Sequence, residues 1–184
     1  MAELYRNKAI KFIQLLLYIF NRHYFTFLHC RFLLTDNEAR DLGVLVDAQL
    51  SFKSHINGIV AKARMRAGQI LRSFLSRDTE TLGRAFTTYV RPLLEFCTPI
   101  WSPSSVGMIV HIESVQCSFT KKLPYRYMKY LTYKDRLSAL RLESLELRCL
   151  KADLIMCLKI LKGYTNITLS EFFTWSSSST RVIV

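Results

Sequence analysis

The sequence predicts a mainly α fold, in which a helical bundle follows one or two short β-strands. Hydrophobic residues make up 50% of the 184 residues, which is enough for a real core. The chain has only 6 Gly and 4 Pro, whereas sandwiches, barrels and Gly-rich nucleotide-binding folds use these residues in their turns. Apolar residues recur at spacings of three and four after residue 52, and strands do not alternate with helices.

The first 35 residues are apolar and aromatic without a clear period. Their strongest apolar run, AIKFIQLLLYIF at 9–20, follows Arg6 and Lys8 as the core of a secretory signal would. Polar side chains interrupt the run, and it stops after about a dozen residues, whereas a membrane span needs ~20. We therefore predict either a core helix or a translated flanking sequence that does not belong to the domain. A basic amphipathic membrane anchor formed by residues 1–30 is placed below both.

A short β element and a long helix come next. The polar stretch TDNEARD at 35–41 is typical of a turn, and residues 42–46 indicate a short buried strand. From Phe52 the apolar residues follow a helical period over about six turns, with Ser51 or Ser54 as the N-cap. This apolar face consists of Ile56, Ile59, Val60, Ala63, Ala67, Ile70, Leu71 and Phe74.

Two further helices are predicted between residues 78 and 122. The second helix begins near Asp78 and ends or kinks at Arg91, because Pro92 follows. Its apolar residues are Leu82, Phe86, Tyr89 and Val90. Ser102 with Pro103 is typical of an N-cap and first helical residue, and this pair opens the third helix. The third apolar face consists of Val106, Ile109, Ile112, Val115 and Phe119, and the helix ends at Lys121 and Lys122.

The last part of the chain predicts one small and one long helix. Thr132 and Asp135 form a capping box for a small helix that runs through Leu140. A long helix follows from about Glu143 to Gly163, which is a natural C-cap. On one side this helix carries Leu147, Leu150, Leu154, Leu158 and Leu161. Beyond residue 171 the run WSSSST indicates a frayed tail.

The net charge and the cysteine and histidine content indicate which partners, metal sites and compartment to expect. The chain has 26 Lys and Arg against 14 Asp and Glu, a net charge of +12, which favours polyanionic partners such as nucleic acid or an anionic membrane. The 5 cysteines have no paired spacing, so neither a disulfide framework nor a zinc ribbon is predicted, and a reducing compartment is expected. The 4 histidines form no metal-binding motif.

No catalytic centre is evident in the sequence. The motifs GxSxG, GxGxxG and HExxH and the P-loop are all missing. A polymerase site needs Asp residues placed to hold a pair of divalent cations, and no two Asp are adjacent here. The predicted set of catalytic and metal-binding residues is therefore empty.

Basic rows on two amphipathic helices are the main functional signal. In the first long helix Lys62, Arg66, Gln69, Ser73 and Arg77 lie along one row, with Arg64 and Arg72 elsewhere on the helix. In the last helix a comparable row consists of Arg148, Lys151, Lys159 and Lys162, interrupted by Ile155. Such rows neutralise successive phosphates with little dependence on base sequence. A merely solvated face is the alternative that the sequence leaves open.

The stretch KKLPYRYMKYLTYK at 121–134 interleaves tyrosines with cations. A platform that stacks single-stranded bases has this composition. The competing interpretation is that Tyr125, Tyr127, Tyr130 and Tyr133 lie half-buried between helices.

Several strings resemble the reverse transcriptases of non-LTR (LINE-type) retrotransposons in the Jockey-like group, in the region C-terminal to the catalytic palm. The strings are DLGVLVD at 41–47 with LSF at 50–52, KAR at 62–64 with RSF at 72–74, and FTTYVRPLLE at 86–95. They continue as WSP at 101–103, IESVQ at 112–116, FTK at 119–121, and LRLESLELR at 140–148. Their joint order and spacing over about residues 39–163 carries the resemblance.

The resemblance implies roles for individual segments. The strand with Leu42, Gly43 and Val44 is similar to the primer grip, and the helices after it are similar to the thumb that clasps template and nascent DNA. Some positions depart from the family pattern, since Cys117 and Cys149 stand where Arg is common and Leu158 stands where a Tyr is common. Part of the expected basic surface is therefore missing, and of the four tyrosines only Tyr133 fits.

The expected organisation is an unmatched segment at 1–38, a thumb-like region at 39–163 and a tail at 164–184. We expect a truncated reverse transcriptase fragment without the catalytic palm and without polymerase activity. No cofactor is expected in this chain, because Mg²⁺ belongs to the full-length enzyme. The predicted nucleic-acid-binding residues are Lys62, Arg66, Arg72, Arg77, Lys121, Lys122, Arg148, Lys151 and Lys159.

The expected partner is an RNA/DNA template-primer duplex in the nucleus or cytoplasm, and neither secretion nor membrane binding is expected. The alternative is a non-catalytic helical interaction module, whose exposed apolar surface docks the missing palm and fingers or another protein. A relic without activity is a further alternative.

Overall fold

A computed structural model describes residues 38–75, 78–103, 105–123 and 130–165. Within them the predicted fold class is confirmed: a bundle of helices follows one antiparallel β-hairpin. The strands are β1 (Glu38–Asp41) and β2 (Val44–Asp47). The helices are α1 (Lys53–Ser73), α2 (Thr79–Tyr89), α3 (Arg91–Glu95), α4 (Thr98–Trp101), α5 (Val106–Lys121), α6 (Tyr133–Ala139) and α7 (Leu145–Leu161).

The hairpin differs from the prediction in its first strand and its turn. Residues 38–41, predicted as a turn, form β1 and pair with β2 from Glu38 opposite Asp47 to Asp41 opposite Val44. Leu42 and Gly43, predicted as strand, are the two turn residues, with φ of 44° and 92°. A two-residue turn with positive φ matches the twist of a hairpin. The polar side chains of β1 obscured the strand, because they face solvent and give no apolar alternation.

Helix α1 is the central helix and confirms the predicted apolar face. Ile56, Val60, Ala63, Ala67 and Ile70 are buried. The predicted serine N-cap is wrong: the cap position is Phe52, at φ 52°, and no side chain caps the helix there. Instead, the Asp47 carboxylate accepts hydrogen bonds from the backbone N–H groups of residues 49, 51 and 52.

Helix α2 begins near Asp78 as predicted, and the side chain of Asp78 caps it by accepting from the backbone N–H of Thr81. The helix ends before Pro92, which opens the short helix α3 in its first turn. Leu82, Phe86 and Val90 are buried as predicted, whereas Tyr89 is exposed.

The third predicted helix, α5, begins later than expected. Its N-cap is Ser105, whose side chain accepts from the backbone N–H of Met108, rather than Ser102. The Ser102 hydroxyl donates instead to Asp153 of α7 at 2.7 Å. The face with Ile112, Val115 and Phe119 is buried, but Val106 is exposed.

The predicted ends of α6 and α7 are confirmed. The Thr132 side chain accepts from the backbone N–H of Asp135 and caps α6. The side chain of Ser144 caps α7. At the other end of α7, Gly163 has φ 69° and donates to the carbonyl of Ile160, while Tyr164 donates to the carbonyl of Lys159. This pair of bonds is the Schellman arrangement, which favours glycine.

Four of the five leucines in the predicted row of α7 are exposed, whereas Leu150 is half-buried. The buried residues of this helix are Leu145, Cys149, Asp153 and Ile160. The predicted row does lie on one side, but Leu147, Leu154, Leu158 and Leu161 are between 42% and 54% exposed. None of the helices in the described ranges is long and apolar enough to cross a membrane.

Candidate nucleic-acid interface

The basic face of α1 combines exposed cations with an absence of acids. The helix contains five Lys and Arg and no Asp or Glu. Lys62, Arg66 and Arg72 are all exposed, and none forms an ion pair with an acid in the described part of the chain. Arg77, the fourth binding residue predicted for this helix, lies outside the described residues. Positive charge therefore faces solvent along this helix.

The ends and sides of α1 are held firmly in place. Burial raises the pKa of Asp47, but the hydrogen bonds from Ser51, Phe52 and Gln49 outweigh burial, and the net pKa lies below its ordinary value. The carboxylate is therefore ionised at neutral pH and fixes the start of the helix. Further along, Arg64 donates to the Ser114 hydroxyl of α5 at 2.8 Å. The helix that carries the basic face is thus hydrogen-bonded to α5, and its start is held by Asp47 of the hairpin.

His55 connects α1 to the hairpin. Its Nδ1 accepts the backbone N–H of Leu45 at 3.2 Å, and its ring meets the Trp101 ring edge to face at 5.4 Å. The Nε2 atom is buried without a hydrogen-bond partner in the described residues. Burial, together with the nearby cations Arg40 and Lys62, lowers the pKa of His55. The imidazole is therefore neutral at pH 7 and serves as an acceptor.

Two of the four cations in the basic row of α7 are neutralised by acids in the described residues. The Arg148 guanidinium donates from Nε to Glu95 Oε1 at 2.5 Å and from Nη2 to Oε2 at 2.9 Å. Glu143 lies 3.6 Å from Arg148 Nη1 and also pairs with Lys151. Hydrogen bonding to Lys151 is the main cause that lowers the pKa of Glu143, and hydrogen bonding to Glu95 raises the pKa of Arg148.

Of the three predicted binding residues of α7, only Lys159 is exposed without an acidic partner in the ranges that the structure describes. Arg148 is half-buried between α3 and α7, and Lys151 is exposed but bound to Glu143. The structure therefore does not bring these three residues together as an open basic face.

Lys121 and Lys122 lie at the C-terminal end of α5, and both are exposed. Most of the aromatic stretch after them falls at 124–129, outside the described residues, so Tyr125 and Tyr127 are not placed. Tyr130 is 83% exposed.

Tyr133 is not available for stacking. Its hydroxyl donates to Glu113 and accepts from Gln116 Nε2 at 3.1 Å. Burial and the bond to Glu113 raise the pKa of Tyr133 well above its ordinary value. The side chain of Arg136, which is also buried, lies over the Tyr133 ring at 5.4 Å and donates to Thr120 and to the carbonyl of Leu131. These contacts join α5 to α6.

The three residues predicted as primer-grip-like occupy different environments. Leu42 is 87% exposed at the tip of the hairpin, and Val44 is buried against the core. Gly43 lies between them, and a Cβ at this position would meet the Phe96 ring at 3.6 Å. In the part of the chain that the structure describes, no group of three or more His, Cys, Asp or Glu is arranged to hold a metal ion.

The chain is similar to a Caenorhabditis elegans protein described as uncharacterized protein B0403.1. The two are 26% identical over 137 residues, which are 74% of this chain and 66% of the relative. The chain thus spans slightly less than two thirds of the relative's length. No protein-family model and no solved structure matches the chain.

Proposed function

We propose that residues 39–163 form a thumb-like region that binds RNA or DNA, similar to the region C-terminal to the catalytic palm of non-LTR retrotransposon reverse transcriptases. The order and spacing of the strings described above support this family. A helical bundle behind a short hairpin is the architecture expected for a thumb. In this proposal the region grips a template-primer duplex and contributes no catalytic group.

The observation that carries the proposal is the unpaired basic face of α1. Lys62, Arg66 and Arg72 are exposed on one helix that has no acidic residue. Cations arranged in this way contact phosphates of any sequence and displace their counterions. Binding should therefore be insensitive to base sequence and strongly sensitive to salt.

The test is a salt titration of affinity for fluorescent RNA/DNA duplexes of two unrelated sequences. For the wild-type chain we expect equal affinities for both duplexes and a negative slope of log affinity against log salt. The triple variant Lys62→Gln, Arg66→Gln, Arg72→Gln should bind on the order of 100-fold more weakly at low salt. Its slope should be smaller in magnitude by about 2 to 3, roughly 0.9 for each phosphate that the variant no longer neutralises.

The matched control removes three exposed cations elsewhere, by Arg84→Gln, Lys134→Gln and Arg141→Gln. It has the same net charge as the α1 variant and should retain most of the affinity and slope. A negligible wild-type slope, or equal reductions of affinity in the two triple variants, would contradict the proposal. Extension of a primed RNA template by the purified chain with Mg²⁺ or Mn²⁺ would contradict its non-catalytic part.

A second candidate function, a helical interaction module, is favoured by the outward leucine row of α7. Contiguous apolar side chains on an exposed helix face commonly mark a docking surface. This candidate does not exclude nucleic-acid binding, because α1 and α7 carry different residues for the two roles.

A further inference from the structure

A small groove lies on the bundle side of α7, beside the start of α5, and it is a different surface from the exposed leucines of α7. Its cavity volume is about 40 Å³, which is room for one group of the size of a water molecule. The groove is lined by Ser102, Pro103 and Ile109 in and before α5, and by Cys149, Leu150 and Asp153 of α7.

Asp153 is a buried carboxylate with one unsatisfied oxygen. The residue is 6% exposed, its Oδ2 accepts from the Ser102 hydroxyl, and its Oδ1 has no hydrogen-bond partner in the described residues. No cation in the described part of the chain forms an ion pair with it. Burial, opposed by the bond from Ser102, raises the pKa of Asp153 to about 6. At neutral pH the groove therefore holds an ionised acid whose charge is uncompensated, and such a charge is costly to bury.

Two other partly buried acids of the bundle have both oxygens satisfied within the chain. Glu95 accepts two hydrogen bonds from Arg148, and Glu113 accepts from the Tyr133 hydroxyl and from a backbone N–H. Asp153 differs from both, although the chain has a net charge of +12. An unsatisfied carboxylate oxygen that lines a groove indicates a hydrogen-bond donor from outside the chain.

The walls of the groove determine which kind of donor fits. Pro103, Ile109 and Leu150 are apolar, so an aliphatic chain can lie along them. A lysine side chain has such a stem and ends in a compact ammonium with three N–H donors, whereas the planar guanidinium of arginine is larger. One N–H can donate to Asp153 Oδ1. A second can donate to the Ser102 hydroxyl, whose oxygen can accept while its own proton is donated to Oδ2.

We propose that the groove binds the ammonium group of a lysine side chain from a partner protein, with Asp153 as its counter-ion. Ile109 and Leu150 hold the aliphatic stem, and Ser102 orients the carboxylate. Glu146, the other acid that lines the groove, already has an interaction of its own and takes no part. The inference goes beyond nucleic-acid binding by α1 and is independent of it.

The test follows binding of the peptide acetyl-Gly-Lys-Gly-amide by nuclear magnetic resonance, with the full chain labelled with ¹³C in its aspartate carboxyl groups. The signal that disappears in Asp153→Asn belongs to Asp153. Saturating peptide should lower the pKa of Asp153 from about 6, because the ammonium favours the ionised form. Affinity should be about 10-fold lower at pH 5 than at pH 7.5, because about a tenth of carboxyl groups with this pKa are ionised at pH 5. The neighbouring thiols of Cys149 and Cys157 do not titrate in this range, because their pKa values are raised.

Two variants and a control locate the site. Asp153→Asn should weaken peptide binding at least ~10-fold and remove its dependence on pH. Ile109→Trp fills the groove without a change of charge and should also lose binding. The matched control, Asp41→Asn on the hairpin, changes the net charge as Asp153→Asn does and should bind like the wild type. Far-ultraviolet circular dichroism checks that all three variants fold.

Changes in the peptide test the chemistry of the donor. Norleucine in place of lysine keeps the stem without the charge, and arginine keeps the charge on a larger group. Each should weaken binding at least ~10-fold. Equal binding of the arginine peptide would mean that the groove does not select an ammonium, and it would overturn the proposal.

The other contrary outcomes are distinct. If n-butylammonium binds and the lysine peptide does not, the groove is a site for free amines and the partner protein is excluded. If neither binds and the pKa of Asp153 stays near 6, the groove holds water only. A loss of binding in Asp41→Asn as large as that in Asp153→Asn would show a general effect of charge and overturn the site. None of these outcomes changes the expectation for duplex binding, which the α1 variants test separately.

Discussion

Helices α1 and α7 each carry three of the predicted binding cations but present them in different ways. On α1, Lys62, Arg66 and Arg72 face solvent and no acid lies on the helix. On α7, Arg148 and Lys151 are paired with Glu95 and Glu143, and the outward face is a row of leucines instead. A row of cations becomes a positive surface only when its acids lie elsewhere, and by this criterion α1 is the better candidate for binding polyanions.

The two helices also differ in the titratable group that each buries. On α1 it is His55, whose pKa is lowered by burial and by the cations Arg40 and Lys62. On α7 it is Asp153, whose pKa is raised to about 6 by burial, despite a hydrogen bond from Ser102. Each has one atom without a hydrogen-bond partner in the described residues, His55 Nε2 and Asp153 Oδ1. Stability therefore falls with decreasing pH through His55 and with increasing pH through Asp153.

The largest expected effect comes from breaking the paired cation of α7. Arg148→Met keeps the apolar stem but leaves Glu95 half-buried, with Arg91, at 3.4 Å, as its remaining ion-pair partner among the described residues. We expect the free energy of unfolding to fall by about 2 kcal/mol, because a partly buried charge is deprived of its main partner. The matched change on α1, Lys62→Met, should alter stability by no more than about 0.5 kcal/mol. Urea denaturation measures both, and equal effects would remove the distinction between the helices.

The second effect concerns Asp153. Its pKa is higher in the folded chain than its ordinary value of 3.8, so folding binds a proton and stability falls as pH rises from about 4 to above 6. Asp153→Asn should therefore raise the unfolding free energy by about 1.5 kcal/mol at pH 7.5, and much less at pH 4.5. Asp41→Asn on the hairpin is the control. A gain that is independent of pH would refute this account.

The arrangement of α7 shows what the sequence pattern alone cannot predict. The period of its leucines fixes that they share a face, but not which face packs against the bundle. Here the buried face contains Cys149 and Asp153, which binds Ser102 of a segment 51 residues away. That contact depends on tertiary structure, and it also explains why Ser102 does not cap α5. By contrast, the buried face of α1 is predicted correctly, because the helix has one long apolar stripe that packs against β2, α2, α3 and α5.

The neutralisation of cations in the α7 row is likewise not predictable from the sequence. Glu95 lies 53 residues before Arg148, and only its pairing with Arg91, four residues away, could be expected from spacing. The hairpin could be predicted in part: β2 has alternating buried residues, whereas β1 owes its conformation to backbone pairing with β2. Local patterns thus predict the long helices and the caps at Thr132 and Gly163, but not the caps of α1 and α5, and pairs distant in sequence determine the site.

The third expected effect concerns His55 on α1, and its dependence on pH is opposite to that of Asp153. The pKa of His55 is lower in the folded chain than its ordinary value of 6.5, so its stabilising hydrogen bond is complete above that pH and disappears as pH falls through the folded pKa. His55→Asn retains an acceptor for the Leu45 N–H but does not titrate. Between pH 7 and pH 5, the free energy of unfolding of the variant should decrease by about 1 kcal/mol less than that of the wild type. Denaturation across this range, with His111→Asn as control, measures the difference; parallel pH profiles would count against a neutral, buried His55.

The smallest expected effect comes from freeing a cation on α7, so that this helix resembles α1. Glu143→Gln removes the acid that holds Lys151 and should free this cation for phosphate. Duplex affinity should rise about 3-fold, and the salt slope should grow in magnitude by about 1. Glu80→Gln is a matched control, because it releases Arg84 on α2 with the same change of net charge but away from both rows. If the two variants gain equally, affinity follows net charge alone, and the contrast between the helices has no role in binding. A gain confined to Glu143→Gln would mean that the position of a free cation decides its contribution.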